Sequence, residues 1–185
     1  MTPPERVALF IDGPNFHGTA RSLNISVDYA KLRDFFSRDA TMVRAYFYTA
    51  LRDNEDDPVR PLVDWMTYNH YRVVSKIAKE YETHFGGRRL KGNMDVEIAV
   101  DALEISPHID HLILFTGDGD FRRLIEAIQD KGRRVTVVSS LRTQPMMLSD
   151  ALRRQADNFI DLADIKESIS RPASYAVQYP HQHSA

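Results

Sequence analysis

The sequence predicts an α/β domain with a mostly parallel central sheet covered by helices on both faces. Two observations carry this. Apolar runs without alternation, Val7–Ile11 and Leu112–Phe115, read as strands buried on both sides. Between such runs lie amphipathic helical patterns, and strands alternating with helices imply parallel pairing through crossovers.

Taken in order, Val7–Ile11 is the first strand and ends in the turn cluster Asp12-Gly13-Pro14-Asn15. Asp28 is placed to cap a helix over Tyr29–Ser37, whose apolar face is Leu32, Phe35 and Phe36. Met42–Leu51, rich in aromatic and β-branched residues, is the second strand. Pro58 stands near the start of a helix carrying Leu62, Val63, Trp65 and Met66, and Tyr71–Ile77 is the third strand. Lys79–Gly92 is polar and glycine-containing, a loop or loose hairpin at the surface. A helix from Asn93 to Ile105 precedes the strand Leu112–Phe115. Phe121, Leu124, Ile125 and Ile128 then mark a helix over Phe121–Lys131, with Gly132 as its terminator. Arg134–Ser139 is a fifth strand, Met146–Gln155 a last amphipathic helix and Asn158–Leu162 a short final strand. Residues 1–170 form one domain, and Arg171–Ala185, with little apolar periodicity, is expected to be a disordered tail.

At 185 residues the chain can bury a full core, and its 43% hydrophobic and 27% charged residues are ordinary for a globular protein. No run approaches the length of a membrane span. With no cysteine, disulfides and thiolate metal sites are excluded, and a reducing cytoplasm is the expected location. A net charge of −2 gives no bulk attraction to nucleic acid, although clustered acids can mask a basic patch. Among the histidines of the first 170 residues none has zinc-ligand spacing.

In open α/β sheets ligands sit outside the carboxyl ends of the strands. Asp12 ends the first strand there, and Asp118 and Asp120 follow the fourth. Each could simply cap the next helix. On a helical wheel from Met94 to Ile105, Glu97, Asp101 and Glu104 form one polar stripe, with Asp95 roughly opposite beside Ala99 and Ala102. An acid on a core-facing side needs a partner or a metal; the helix dipole offers a blander reason for an acid in the first turn. Together Asp12, Asp95, Asp118 and Asp120 make a four-carboxylate constellation of the kind that holds Mg²⁺ or Mn²⁺, able to activate water for displacement at phosphorus. Asn15 is placed to orient a ligand water or a phosphate oxygen. Arg88, Arg89 and Lys91, just before Asp95, and Arg122, just after Asp120, are candidate phosphate-holding cations, against the alternative of a solvated surface. Phe16, Tyr46 and Tyr48 could stack on bases, with core packing the favoured alternative.

Three segments in order, Val7–Ile11 with Asp12-Gly-Pro-Asn15, Lys91-Gly-Asn-Met-Asp95-Val with Ala99-Val-Asp101, and Thr116-Gly-Asp118-Gly-Asp120-Phe121, resemble the NYN domains, in particular the LabA-like branch of the PIN-like nuclease superfamily. The resemblance covers about residues 5–165. It implies a three-layer α/β/α PIN-like fold and a metal-dependent ribonuclease with Asp12, Asp95, Asp118 and Asp120 as metal-binding acids and Asn15 and Lys91 as accessory residues. It places Asp101 at a position the family motif uses, against the wheel. A homodimer is expected by analogy with the superfamily. The expected activity is hydrolysis of RNA phosphodiester bonds; the alternative is a non-catalytic metal- and RNA-binding regulatory module with the same fold.

Overall fold

The structure, a computed structural model, describes residues 3–53, 56–82 and 88–172, with backbone alone for 79–82 and 88–91. Six parallel strands form one sheet: β1 (Glu5–Asp12), β2 (Ala40–Leu51), β3 (Tyr71–Ile77), β6 (His111–Phe115), β7 (Arg134–Ser139) and β8 (Asn158–Asp161), in the order β3-β2-β1-β6-β7-β8. β4 (Lys79–Glu82) and β5 (Arg88–Lys91) pair antiparallel as a separate hairpin, as the sequence of 79–92 allows. The helices are α1 (Gly13–Ser22), α2 (Tyr29–Ser37), α3 (Arg60–Tyr68), α4 (Asp95–Ile105), α5 (Arg122–Gln129), α6 (Asp150–Gln155) and α7 (Lys166–Ile169). The expected tail falls, from residue 173 onward, outside the described residues.

The strand alternation splits the core in two. Ala8 and Phe10 of β1 point to the face covered by α4, α5 and α6, packing with Ile98, Ala102, Ile125 and Leu152. Val7, Leu9 and Ile11 point to the face covered by α1, α2, α3 and α7, with Phe16, Leu32, Met66 and Ile169. This is the three-layer arrangement that unbroken apolar strands require, since neither face can be left to water. β1 is the pivot: the chain continues to β2 on one side and later to β6 on the other. The strand order therefore reverses between β1 and β6, opening a crevice at their carboxyl ends.

Three sequence expectations are corrected. The cluster at residues 12–15 is no free turn, because α1 begins at once with Pro14 in its first turn, where a missing N–H is harmless. The last amphipathic helix starts at Asp150, not Met146: Ser149 is extended and donates its N–H to the carbonyl of Gly117, a tertiary bond that no local pattern reveals. On α4 only Glu104 of the expected polar stripe is exposed. Glu97 and Asp101 are half-buried because the sheet supplies partners, Lys76 Nζ at 3.0 Å from Glu97 and the Tyr48 hydroxyl donating to Asp101 at 2.9 Å. Val96, Val100 and Leu103 face outward instead.

At the opposite edge of the sheet, Arg6 clamps Asp110 through Nε at 3.0 Å and Nη2 at 2.7 Å, and its main-chain N–H joins the same carboxylate. These bonds hold the folded Asp110 well below the usual carboxylate range, with the Arg6 guanidinium as the leading cause. A depressed folded value stabilises above the unfolded pKa and is lost as pH falls through the acid range. Asp110→Asn should lower the melting temperature at pH 7, and the difference from wild type should shrink as pH drops below about 4, as read by circular-dichroism melts across pH.

Candidate metal centre

The acids gather where parallel pairing sends them. In register, Ile11 of β1 lies beside Phe115 of β6, so the next residues, Asp12 and Thr116, meet at the crevice. Asp12 occupies the N-cap position of α1 yet makes no capping hydrogen bond. Its Oδ2 accepts instead from the Thr116 hydroxyl at 3.0 Å. The Asp12 carboxylate is thus held chiefly from β6, with the Asn15 N–H of α1 the weaker influence. Burial drives its pKa up, to about 6; the Thr116 hydroxyl and the nearby Asn15 N–H oppose the rise, while the charges of Asp95 and Asp118 add to it.

Thr116 also accepts from the Asp118 N–H at 3.3 Å, so a single hydroxyl links the ends of β1 and β6. Asn15, on the first turn of α1, accepts the Gly117 N–H through Oδ1 at 3.0 Å. Asp118 does cap locally, its Oδ1 taking the Asp120 N–H at 3.0 Å into the short 3₁₀ turn Gly119–Phe121. The backbone of this loop runs so close to the 141–149 segment that a Cβ on Gly117 would lie 1.9 Å from the Met147 carbonyl oxygen.

Asp95 enters from the other direction, as the first residue of α4. Asn93 holds it twice, donating Nδ2 to Oδ2 at 2.6 Å and accepting the Asp95 N–H at 2.8 Å. Asn93 was not singled out from the sequence, although an Asn two residues before an acid is a recognisable local turn-forming pair. Asp95 is half-buried, and its pKa is raised, by burial first, against the Asn93 bond, and then by the charges of Asp118 and Asp120. Lys76, which pulls the other way, is engaged with Glu97.

The result is a set of carboxylate oxygens from Asp95, Asp118 and Asp120 lying within 4.8 Å of one another. Asp12 stands beside this set and feels two of its charges without joining it. Of the expected cations, Arg122 opens α5 two residues beyond Asp120 and is exposed. Arg88, Arg89 and Lys91 form β5, ahead of Asp95, and their side chains lie outside the described residues. Asp101 is one layer removed, held by the Tyr48 hydroxyl, and Tyr48 in turn pairs in register with Asp12. Phe16, Tyr46 and Tyr48 are buried in the core and present no ring to a base.

Clustered hard-oxygen donors, with burial and neighbouring negative charge raising the pKa of Asp12 and Asp95, suit a divalent cation of the Mg²⁺ or Mn²⁺ type. Residues 6–164 match the NYN domain family. The chain belongs to the NYN domain family. The low amplitude and bright protein LabA of Synechococcus elongatus is 34% identical over 172 residues, covering 91% of this chain and 89% of that protein. An uncharacterised protein of Methanocaldococcus jannaschii is 29% identical over 161 residues; the match takes in 86% of this chain but only 56% of the archaeal protein. The crystal structure of a protein of unknown function from Vibrio parahaemolyticus superposes with a TM-score of 0.71 at 26% identity, covering 92% of this chain and 99% of that one. The parallel sheet and its helices are thus the PIN-like fold of an NYN domain, a nuclease-type scaffold whose members generally use divalent metals.

The crowding at Gly117 makes the NYN loop sensitive to one methyl group. Gly117→Ala should destabilise the protein by about 2–3 kcal/mol, since backbone must move to admit the Cβ. Urea denaturation would show it as a lower midpoint with an unchanged slope.

Proposed function

We propose that this NYN domain, residues 1–170, is a metal-dependent ribonuclease that hydrolyses RNA phosphodiester bonds at the edge formed by Asp12, Asp95, Asp118 and Asp120. The observation that carries it is the convergence of the Asp95, Asp118 and Asp120 oxygens within 4.8 Å, at the crevice where the strand order reverses. These three acids, with Asp12 beside them, would hold one or more Mg²⁺ or Mn²⁺ ions. When bound, the ion supplies positive charge to the phosphate and a water more easily deprotonated than bulk water.

The chain's own residues do the rest. Thr116 fixes the Asp12 carboxylate and the Asp118 main chain relative to each other. Asn93 locks the Asp95 rotamer, so the donor set is organised before the ion arrives. With Oδ1 committed to Gly117, Asn15 keeps its amide N–H₂ as a donor for a phosphate oxygen. Lys91, Arg88, Arg89 and Arg122 neutralise the phosphates of the bound strand. The lack of cysteine supports a cytoplasmic setting. The homodimer implied by the family resemblance belongs to the same reading, and sedimentation velocity tests it.

Asp118→Asn should reduce RNA hydrolysis to background while leaving the circular-dichroism spectrum unchanged; equal cleavage by rigorously purified mutant and wild type would falsify the assignment. Saturating Mn²⁺ should raise the wild-type melting temperature by roughly 5–10 °C, and by much less in Asp118→Asn. Strong stabilisation of the wild type without turnover of any RNA would instead identify a regulatory module that keeps the metal site.

A further inference from the structure

On the side of the sheet away from α4, the C-terminal half of α1, the start of α2 and the N-terminal half of α3 enclose an open cavity of about 960 Å³. Its rim starts near the sheet edge that carries the acids. His17 stands five residues beyond Asp12 on α1, about 7.5 Å along the helix axis. Pro58, on the facing wall, belongs to the loop that leaves the carboxyl end of β2.

Three cations line the groove: Arg21, Lys31 and Arg171. The side chain of Arg21, an exposed residue, makes no hydrogen bond or ion pair among the described residues. Lys31 Nζ and Arg171 Nε donate to main-chain carbonyls, of Ser170 and Val27, which leaves both charges without a carboxylate partner among the described residues. The single acid in the lining, Asp28, uses Oδ1 to cap α2 through the Ala30 and Lys31 N–H groups. Trp65, 38% exposed, belongs to the same lining.

Unpaired cations beside an open flat ring are the two elements that hold single-stranded nucleic acid without reading its sequence, phosphates on the charges and bases on the ring. We propose that this groove binds single-stranded RNA and leads the strand over α1 towards the acids; its partner class rests on the ribonuclease reading above. An acidic peptide would use the cations and leave the indole solvated. A duplex would offer Trp65 no unstacked base.

The test uses the full chain carrying Asp118→Asn, in EDTA, titrated with labelled oligoadenylate of about ten nucleotides. Binding is read by anisotropy and by the fluorescence of Trp65, the chain's one tryptophan. The expected result is saturable binding with quenching of Trp65. Arg21→Glu and Trp65→Ala should each weaken it about tenfold, and Trp65→Phe should restore most of the loss. Lys131→Glu, exposed just beyond the C-terminal end of α5, should leave it unchanged. Heparin, a polyanion without bases, should depend on Arg21 and not on Trp65. RNA binding that leaves Trp65 fluorescence unaltered overturns the proposal, as does an affinity indifferent to both groove variants. Arg21-dependent capture of an acidic peptide in place of RNA would reassign the groove to a protein partner. Because binding is measured without metal, failure of the wild type to cleave RNA in Mn²⁺ would sink the nuclease reading and leave the groove result standing.

Discussion

The position of β1 between β2 and β6 is the constraint on which the rest of the molecule depends. Both neighbours run parallel to it, so the three carboxyl ends share one edge. The chain leaves β1 towards one side and reaches β6 on the other, so the connections after these two strands diverge at their carboxyl ends. A strand buried on both faces can afford this place only if it is apolar throughout, and Val7–Ile11 is. The first residue past that apolar run is Asp12. The same holds for β6, whose apolar residues give way to Thr116 and Asp118.

Bringing like charges to one point is unfavourable, and the surroundings show how the fold tolerates it. Burial and mutual repulsion raise the pKa of Asp12 and Asp95, while hydroxyl and amide donors from Thr116 and Asn93 hold part of that rise back. The residual imbalance is what a cation would remove. The loop bearing Asp118 is fixed from two sides: Asn15 takes the Gly117 N–H, and the Gly117 carbonyl accepts from Ser149. The acids are therefore presented by a backbone with little freedom, which favours a preformed centre over one assembled on binding. Glycine at 117 follows from the same closeness, since the Met147 main chain occupies the space of a side chain.

The two faces of the sheet divide the labour. One face brings α4, with Asp95 at its start, and packs α5 and α6 beneath the acid loop. The other, built from α1, α2 and α3, carries the basic groove with Trp65 in its lining. α1 connects them: its first turn supplies Asn15 to the acid loop, and its exposed side carries His17 and Arg21 into the groove. A net charge of −2 conceals this separation, since acids crowd the crevice while Arg21, Lys31 and Arg171 line the groove.

The sequence by itself determined the layer architecture, because runs such as Val7–Ile11 and Leu112–Phe115 can only be strands covered twice, and the spacing of Phe121, Leu124, Ile125 and Ile128 can only be a helix laid on them. It also marked the acids, since Asp12, Asp118 and Asp120 stand at strand ends whose direction parallel pairing fixes. Asp95 was legible as an acid out of place, though the wheel that suggested it misjudged the neighbouring stripe. Glu97 and Asp101 turn inward for Lys76 and Tyr48, partners 21 and 53 residues away, and polarity along one helix carries no record of them. The start of α6, the bond from Thr116 to Asp12 across 104 residues, and the groove between α1 and α3 were likewise left to tertiary structure. Periodicity records which side of an element is buried. Which polar groups meet, and where cations stay unpaired, depends on distances that exist only once the strands have paired.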